Sequence, residues 1–187
     1  MNEQDQAKRM ENEALQALLS YITTASPLVN RDLRAGKKPA EVKRLDSLFE
    51  PMAHELTVYR ALPISYVNIE KDLYYDPAYL STSKSIDYVL PKFAEGSTVA
   101  LLIITLPKGT KVIDVRSLFP DQNDEDEIIL MKGCHYHVGS KNTYTKEGNP
   151  TISDFEKKYE GLLTEKLFDI EHVEEYYLYP QDDEKNN

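Results

Sequence analysis

The chain has 187 residues, of which 41% are hydrophobic and 29% charged, with a formal net charge of -10. This length suits one domain with a core that needs no covalent staples, and the acidic balance argues against general binding to nucleic acid or anionic membranes. A single cysteine, Cys134, excludes an internal disulfide and a thiolate zinc site.

The N-terminus is polar and lacks the apolar stretch of a signal peptide. The longest apolar run, Val99 to Leu106, has the length of a strand rather than of a membrane span. The chain is therefore expected to work in the cytoplasm where it is made, or to be delivered into a target cell without a cleaved signal.

Residues 4 to 24 predict an amphipathic helix, with Met10, Ala14, Leu15, Leu18, Leu19 and Ile22 at helical spacing. Pro27 opens a second short helix that Gly36 follows, and Pro39 opens a third through Phe49. At Leu56 the pattern changes to alternation, and Leu56 to Leu62 predicts a strand. Tyr79 to Ser83 is a second short strand, and Ser97 to Leu106 a central strand buried on both faces. Pro107 to Thr110 turns into a strand from Lys111 to Val115. After a polar loop from Arg116 to Asp124, Glu125–Met131 and Cys134–Thr143 predict a hairpin around Lys132-Gly133. Residues 145–153 form a loop, 154–166 a helix and His172–Tyr179 the last strand. Residues 181–187 form a disordered acidic tail. Helices first and strands later imply an α+β domain spanning 1–180, with a helical part at 1–52 and a β core at 55–180. Neither a GxGxxG after a strand nor a GxxxxGK[ST] is present, so Rossmann and P-loop nucleotide binding are excluded.

Three segments carry candidate chemistry. Arg60 shares a strand face with Leu56, Val58 and Leu62, and a charge there needs a partner. It is either a guanidinium for phosphate or ribose oxygens, or half of a structural salt bridge. Ser81-Thr82-Ser83 offers three hydroxyls that orient a carboxylate or line a ligand, or else cap the helix that follows. Asp124-Glu125-Asp126-Glu127 precedes Ile128-Ile129-Leu130. If Glu125 opens the strand, Glu125 and Glu127 point to one face and raise the pKa of at least one of the pair. The alternatives are a solvated acidic loop or a calcium loop, although the glycine spacing of an EF-hand is absent. His135 and His137 share a strand face but have no third ligand nearby, so no metal is expected. Cys134 reads as a small packing residue.

In this order the segments resemble the R–S–E signature of the cholera-toxin-like mono-ADP-ribosyltransferases. They are most similar to the binary actin-modifying toxins and the T4-type phage transferases. The helix motif Leu28-Val-Asn30-Arg-Asp-Leu33-Arg34, the upstream Tyr21 and the Lys132-Gly133 turn agree, so the resemblance spans Tyr21 to Val138. It implies N-terminal helices on a two-sheet, mixed or antiparallel β core. It also implies NAD as a substrate and cleavage at the nicotinamide–ribose bond without a metal. By resemblance Glu127 is the carboxylate at the ribose, Ser81 orients it, and Arg60 holds the phosphates with the Ala61 backbone near the nicotinamide amide. Asn30 and Arg34 support the adenine-side phosphates. Tyr21, Thr82 and Ser83 complete the cofactor site, and Phe93 lies in a loop that packs on nicotinamide. Ala94, Glu95 and Gly96 stand where relatives often carry a phosphate-binding arginine, which leaves Lys92 as a substitute.

Glu125, two residues before the catalytic position, implies an arginine acceptor, because a carboxylate there can bind a guanidinium and help remove its proton. Phe119 and the loop around it would meet the target protein. The resemblance thus implies a toxin, effector or phage enzyme, acting as a monomer on a protein with an exposed arginine. The alternatives are an NAD glycohydrolase, a transferase to Thr or Ser hydroxyls, and a non-catalytic interaction module of the same fold.

Overall fold

The computed structural model describes residues 3–93, 97–121, 126–162 and 170–181, with backbone alone at 3 and 91–93. Helix α1 (Glu3–Ser20) passes without a break through a π-turn, Tyr21–Ala25, into α2 (Ser26–Arg34). Two separate helices were expected, and Pro27 explains the difference. It has no N–H to return to the preceding turn, and its ring would press on the carbonyl four residues back. The wider turn relieves both problems. The Ser26 N–H donates to the Tyr21 carbonyl, and the Thr23 hydroxyl donates to the Leu19 carbonyl at 2.8 Å. Gly36, at φ 73°, lies just past the helix end as expected.

Helix α3 (Val42–Asp46) is shorter than the Pro39–Phe49 helix expected. Pro51 disfavours the helical region for Glu50, and Glu50–Pro51 instead forms the short edge strand β1. A sheet edge is where a residue without an N–H is tolerated. The remaining elements follow in order: β2 (Leu56–Leu62), β3 (Ile69–Glu70), β4 (Leu73–Tyr75), β5 (Leu80–Ser83), α4 (Ile86–Phe93), β6 (Thr98–Leu106), β7 (Lys111–Asp114), α5 (Val115–Leu118), β8 (Glu127–Leu130), β9 (His135–Thr145), α6 (Ile152–Lys158) and β10 (His172–Pro180). Among the described residues, no helix is long and apolar enough to cross a membrane.

The strands lie in the order β1-β7-β8-β5-β2-β6-β10-β9-β4-β3. Two halves are evident, β1-β7-β8-β5 and β2-β6-β10-β9-β4-β3, and they join through one residue pair, Tyr59 with Ser83. This is the two-sheet core expected, stitched at a single point. It is mixed because β10 runs parallel to β6 while the other pairs are antiparallel. Strand β6 is central and feeds two cores by alternation. Ala100, Leu102, Ile104 and Leu106 enter the core shared with Val58, Leu80 and Ile128, and Val99, Leu101 and Ile103 pack toward α4 and α6. A third core, with Leu18, Tyr21, Leu45, Tyr79 and Ile129, lies under the N-terminal helices.

The hairpin expected around Lys132-Gly133 does not form. Strand β8 pairs with β5 and β7, whereas β9 pairs with β10 and β4. The burial patterns explain why. Ile128, Ile129 and Leu130 are all buried, so β8 needs cover on both faces, but much of β9 is exposed on one side. The intervening turn therefore crosses from one half of the sheet to the other. Gly133, at φ 73°, donates its N–H to the Asp76 carbonyl at 3.2 Å. Helix α6 starts at Ile152, two residues earlier than expected, behind a capping box of Thr151 and Asp154. It ends at Lys158, well short of the residue 166 expected, and Gly161, at φ 85°, lies just beyond its end; residues 163–169 and the tail from 182 onward lie outside the described residues.

Candidate active site

Arg60 stands between Val58 and Leu62 on β2, and alternation turns all three toward the inter-sheet core. Its guanidinium reaches across to β5, where Nη1 donates to the Ser81 carbonyl at 2.7 Å. Nε is buried and has no hydrogen-bond partner. A buried donor left unpaired costs about 1–3 kcal/mol, so this atom calls for an acceptor that the described residues do not supply.

That guanidinium opens into a cleft of about 1060 Å³ between the N-terminal helices and the junction of the two half-sheets. The volume is at the upper end of small-molecule sites. Ser81 and Glu127 line it, as do Ala61, Asn30 and Arg34. Strand register accounts for two of these. Ser81 and Ser83 lie on the face of β5 opposite Leu80 and Thr82, and Ser83 pairs with Glu127 at the start of β8. Both strands thus present a polar group at the same end.

Tyr21 lies beneath the cleft with 1% exposure. Its hydroxyl accepts from Asn30 Nδ2 at 2.9 Å and lies close to the Ser81 side chain. Burial raises its pKa above the ordinary tyrosine value; the Asn30 and Ser81 side chains and the Arg60 charge oppose the rise, and the Glu127 charge adds to it. One buried tyrosine therefore senses Asn30, Ser81, Glu127 and Arg60 together, although they come from four different elements.

Other expected site residues are placed differently. Thr82 is buried on the core face and donates to the Ile128 carbonyl at 2.7 Å, and Ser83 Oγ accepts the Ser85 N–H at 2.9 Å as the chain enters α4. Neither lines the cleft: alternation turns Thr82 away, and the start of α4 engages Ser83. Phe93 is the last residue of α4 rather than part of a loop, and its side chain lies outside the described residues. Glu125 also lies outside them. The strand begins at Glu127, and Asp126 has a left-handed φ of 47°, so the strand does not extend back through Asp126. Asp126 accepts from Arg116. Phe119 is half-buried against the helical core, while Leu118 beside it is exposed.

Sequence reasoning missed much of the cleft wall. Asp76, Tyr66, Tyr75 and Tyr88 line it, with Ile22, Thr23 and Ser26 of the π-turn region. The Asp76-Pro77 step before β5 was the available signal, since Asp-Pro favours a turn. Arg34 donates from Nε and Nη2 to the two Asp76 oxygens at 3.0 and 2.6 Å. Among the described residues no cluster of three His, Cys, Asp or Glu could hold a metal, and His135 stacks on Tyr75 with ring centres 4.4 Å apart.

Residues 1–160 match the family model described as ADP-ribosyltransferase exoenzyme. No curated protein matches the sequence. Among solved structures, C3stau2 from S. aureus, determined with NAD, is 19% identical with a TM-score of 0.61, covering 91% of this chain and 88% of that one. Plx2a, an ADP-ribosyltransferase toxin from Paenibacillus larvae, is 16% identical with a TM-score of 0.60, covering 90% and 86%. Exoenzyme S from Pseudomonas aeruginosa, in complex with human 14-3-3 protein beta and bound to carba-NAD, is 16% identical with a TM-score of 0.59, covering 90% and 73%. At such identity these three share the fold with this chain. The family match, which runs from the first residue through α6, places the protein in the ADP-ribosyltransferase exoenzyme family, a toxin family of transferases that use NAD as substrate.

Proposed function

We propose that this chain transfers ADP-ribose from NAD to an arginine of a target protein, with Glu127, Ser81 and Arg60 as the central groups. The observation that carries the reading is that Arg60, whose Nε is left without a hydrogen-bond partner, lines the same cleft as Ser81 and Glu127. A guanidinium with one free donor suits a phosphate oxygen.

The chemistry follows from charge. The nicotinamide–ribose bond breaks with its electron pair going to the ring nitrogen, so nicotinamide leaves neutral and no acid is needed. Positive charge develops at the ribose carbon, as in glycoside cleavage. A carboxylate fixed beside it favours the transition state over the ground state. Glu127 is that carboxylate. Ser81, on the strand paired with β8, orients it. Asn30 and Arg34 bind the far end of the dinucleotide.

The acceptor nitrogen then bonds to the ribose carbon and loses a proton. Glu125, two residues before Glu127, is the base that takes it. The exposed Leu118 and the half-buried Phe119 form the surface that meets the target. The setting is that of a toxin or effector acting on a protein of another cell, in keeping with the toxins that share this fold.

The test is labelled NAD incubated with the purified chain and a host lysate. Labelled protein bands that disappear with Glu127→Ala, and an acceptor peptide modified on arginine by mass spectrometry, support the reading. Free nicotinamide without labelled protein replaces transfer by hydrolysis, modification of Thr or Ser replaces the acceptor, and no turnover of NAD overturns the proposal.

A further inference from the structure

Arg34 sits at the end of α2 with nearly half of its side chain exposed, yet it is held in one orientation. Its Nε and Nη2 both donate to Asp76, at 3.0 Å to Oδ1 and 2.6 Å to Oδ2. Such a fork fixes the plane of the guanidinium as well as its position. Asp76 is itself only 8% exposed and is held from two further sides. Its Oδ1 accepts the Ala78 N–H at 2.9 Å, and its carbonyl accepts the Gly133 N–H at 3.2 Å. The edge of Arg34 carrying Nη1 has no acceptor among the described residues, and Arg34 and Asp76 both line the large cleft.

We infer that Asp76 is a positioning residue for the dinucleotide: it clamps one edge of Arg34 so that the other edge faces the cleft ready for a phosphate oxygen. This rests on the NAD-transferase reading above and adds a residue to it. A free arginine would lose rotamer freedom on binding, and that ordering weakens affinity. The carboxylate makes the ordering part of folding. A carboxylate in the cleft also repels phosphate, but Asp76 is neutralised by the fork and anchored by two main-chain bonds. The balance therefore favours pre-organisation over repulsion.

The decisive variant is Asp76→Asn. Its side-chain oxygen can still accept from Ala78, so the local turn survives, but its amide places a donor against Arg34. Nicotinamide release from NAD is followed for the wild type, Asp76→Asn, Arg34→Ala and the double variant, with melting temperatures alongside. Asp76→Asn is expected to raise KM for NAD about five-fold, the cost of ordering one long side chain, with kcat within about two-fold. The double variant should bind NAD no worse than Arg34→Ala alone, because the two act as one unit. An unchanged or lowered KM overturns the inference, and so does a fall in kcat and melting temperature without a change in KM. If Asp76→Asn does not fold, Asp76→Glu decides by the same split. It keeps the charge but displaces the fork by one methylene, so a raised KM supports the clamp and an unchanged KM overturns it. A wild type that binds and turns over no NAD removes the transferase reading and this inference with it; a wild type that does, beside an Asp76→Asn of equal KM, removes only the inference.

Discussion

The Arg60 guanidinium donates to the main-chain carbonyl of Ser81 at 2.7 Å, close to where the two half-sheets are joined by the single pair Tyr59–Ser83. The same side chain therefore braces the seam and offers a donor to the cleft beside it. Under the proposed function, stability and ligand binding are coupled at this residue.

Replacing Arg60 with lysine tests that coupling. A lysine keeps the charge but has no fork, so it cannot bond the Ser81 carbonyl and a phosphate with separate nitrogens. Arg60→Lys is expected to lower stability by about 1 kcal/mol, the value of one hydrogen bond. NAD turnover should fall at least about tenfold, because the ligand's phosphate forfeits a buried, charge-assisted hydrogen bond. Chemical denaturation and nicotinamide release measure the two effects separately.

Glu127→Gln should have a different signature. The residue is half-buried at the start of β8, and glutamine preserves its shape. Melting temperature is expected to stay within a few degrees of the wild type, whereas turnover should fall by about 100-fold or more, as when a preorganised group that stabilises the transition state is removed. NAD affinity, read by isothermal titration, should change little. A variant with wild-type turnover would remove Glu127 from the mechanism.

Glu175, on the other side of the sheet, governs acid stability. It has 0% exposure and accepts from Asn142 Nδ2 at 2.8 Å, Lys158 Nζ at 2.6 Å and the Tyr159 hydroxyl. Burial alone would raise its carboxyl pKa, but these hydrogen bonds and the lysine charge outweigh burial and lower it. A carboxyl lowered by folding contributes stability that is fully present above its ordinary value and is lost as pH falls through the lowered one. Melting of Glu175→Gln is expected well below wild type at pH 7, with the gap narrowing below about pH 4. Lys158→Met leaves the carboxylate buried without its cation and should cost about 3 kcal/mol at pH 7.

Gly133→Ala probes the crossing between the half-sheets. At φ 73° an alanine is strained, although nothing lies within 4 Å of the added methyl. The expected loss is about 1 kcal/mol from backbone conformation alone. A larger loss, measured by denaturant unfolding, would mean that the Asp76–Gly133 bond is broken as well.

The sequence made the strand from Leu56 to Leu62 readable to the residue, because alternation around Arg60 is uninterrupted. Glu127 was readable too, as the last charge before an apolar run that needed burial on both faces. The β3–β4 hairpin was not. Its two-residue turn is Lys71-Asp72, with φ of 50° and 63°, where Asn-Gly would have announced it. Asp76 was not singled out because one acid among 32 acidic residues carries no mark of burial; its significance comes from Arg34, 42 positions earlier in the chain. The failed hairpin has a related cause. Proximity in sequence favoured pairing β8 with β9, but pairing followed which faces could be buried.

The bulge ahead of Pro27 has a rotational consequence. One extra residue in a helical turn offsets every later position by about 100° around the axis. Asn30 and Arg34 come after it and look into the cleft; with ordinary winding from Leu19 onward they would be carried about a quarter-turn round the helix, away from Tyr21 and Asp76. A proline that locally spoils the helix thereby sets the compass bearing of the two side chains proposed to meet the dinucleotide's far end.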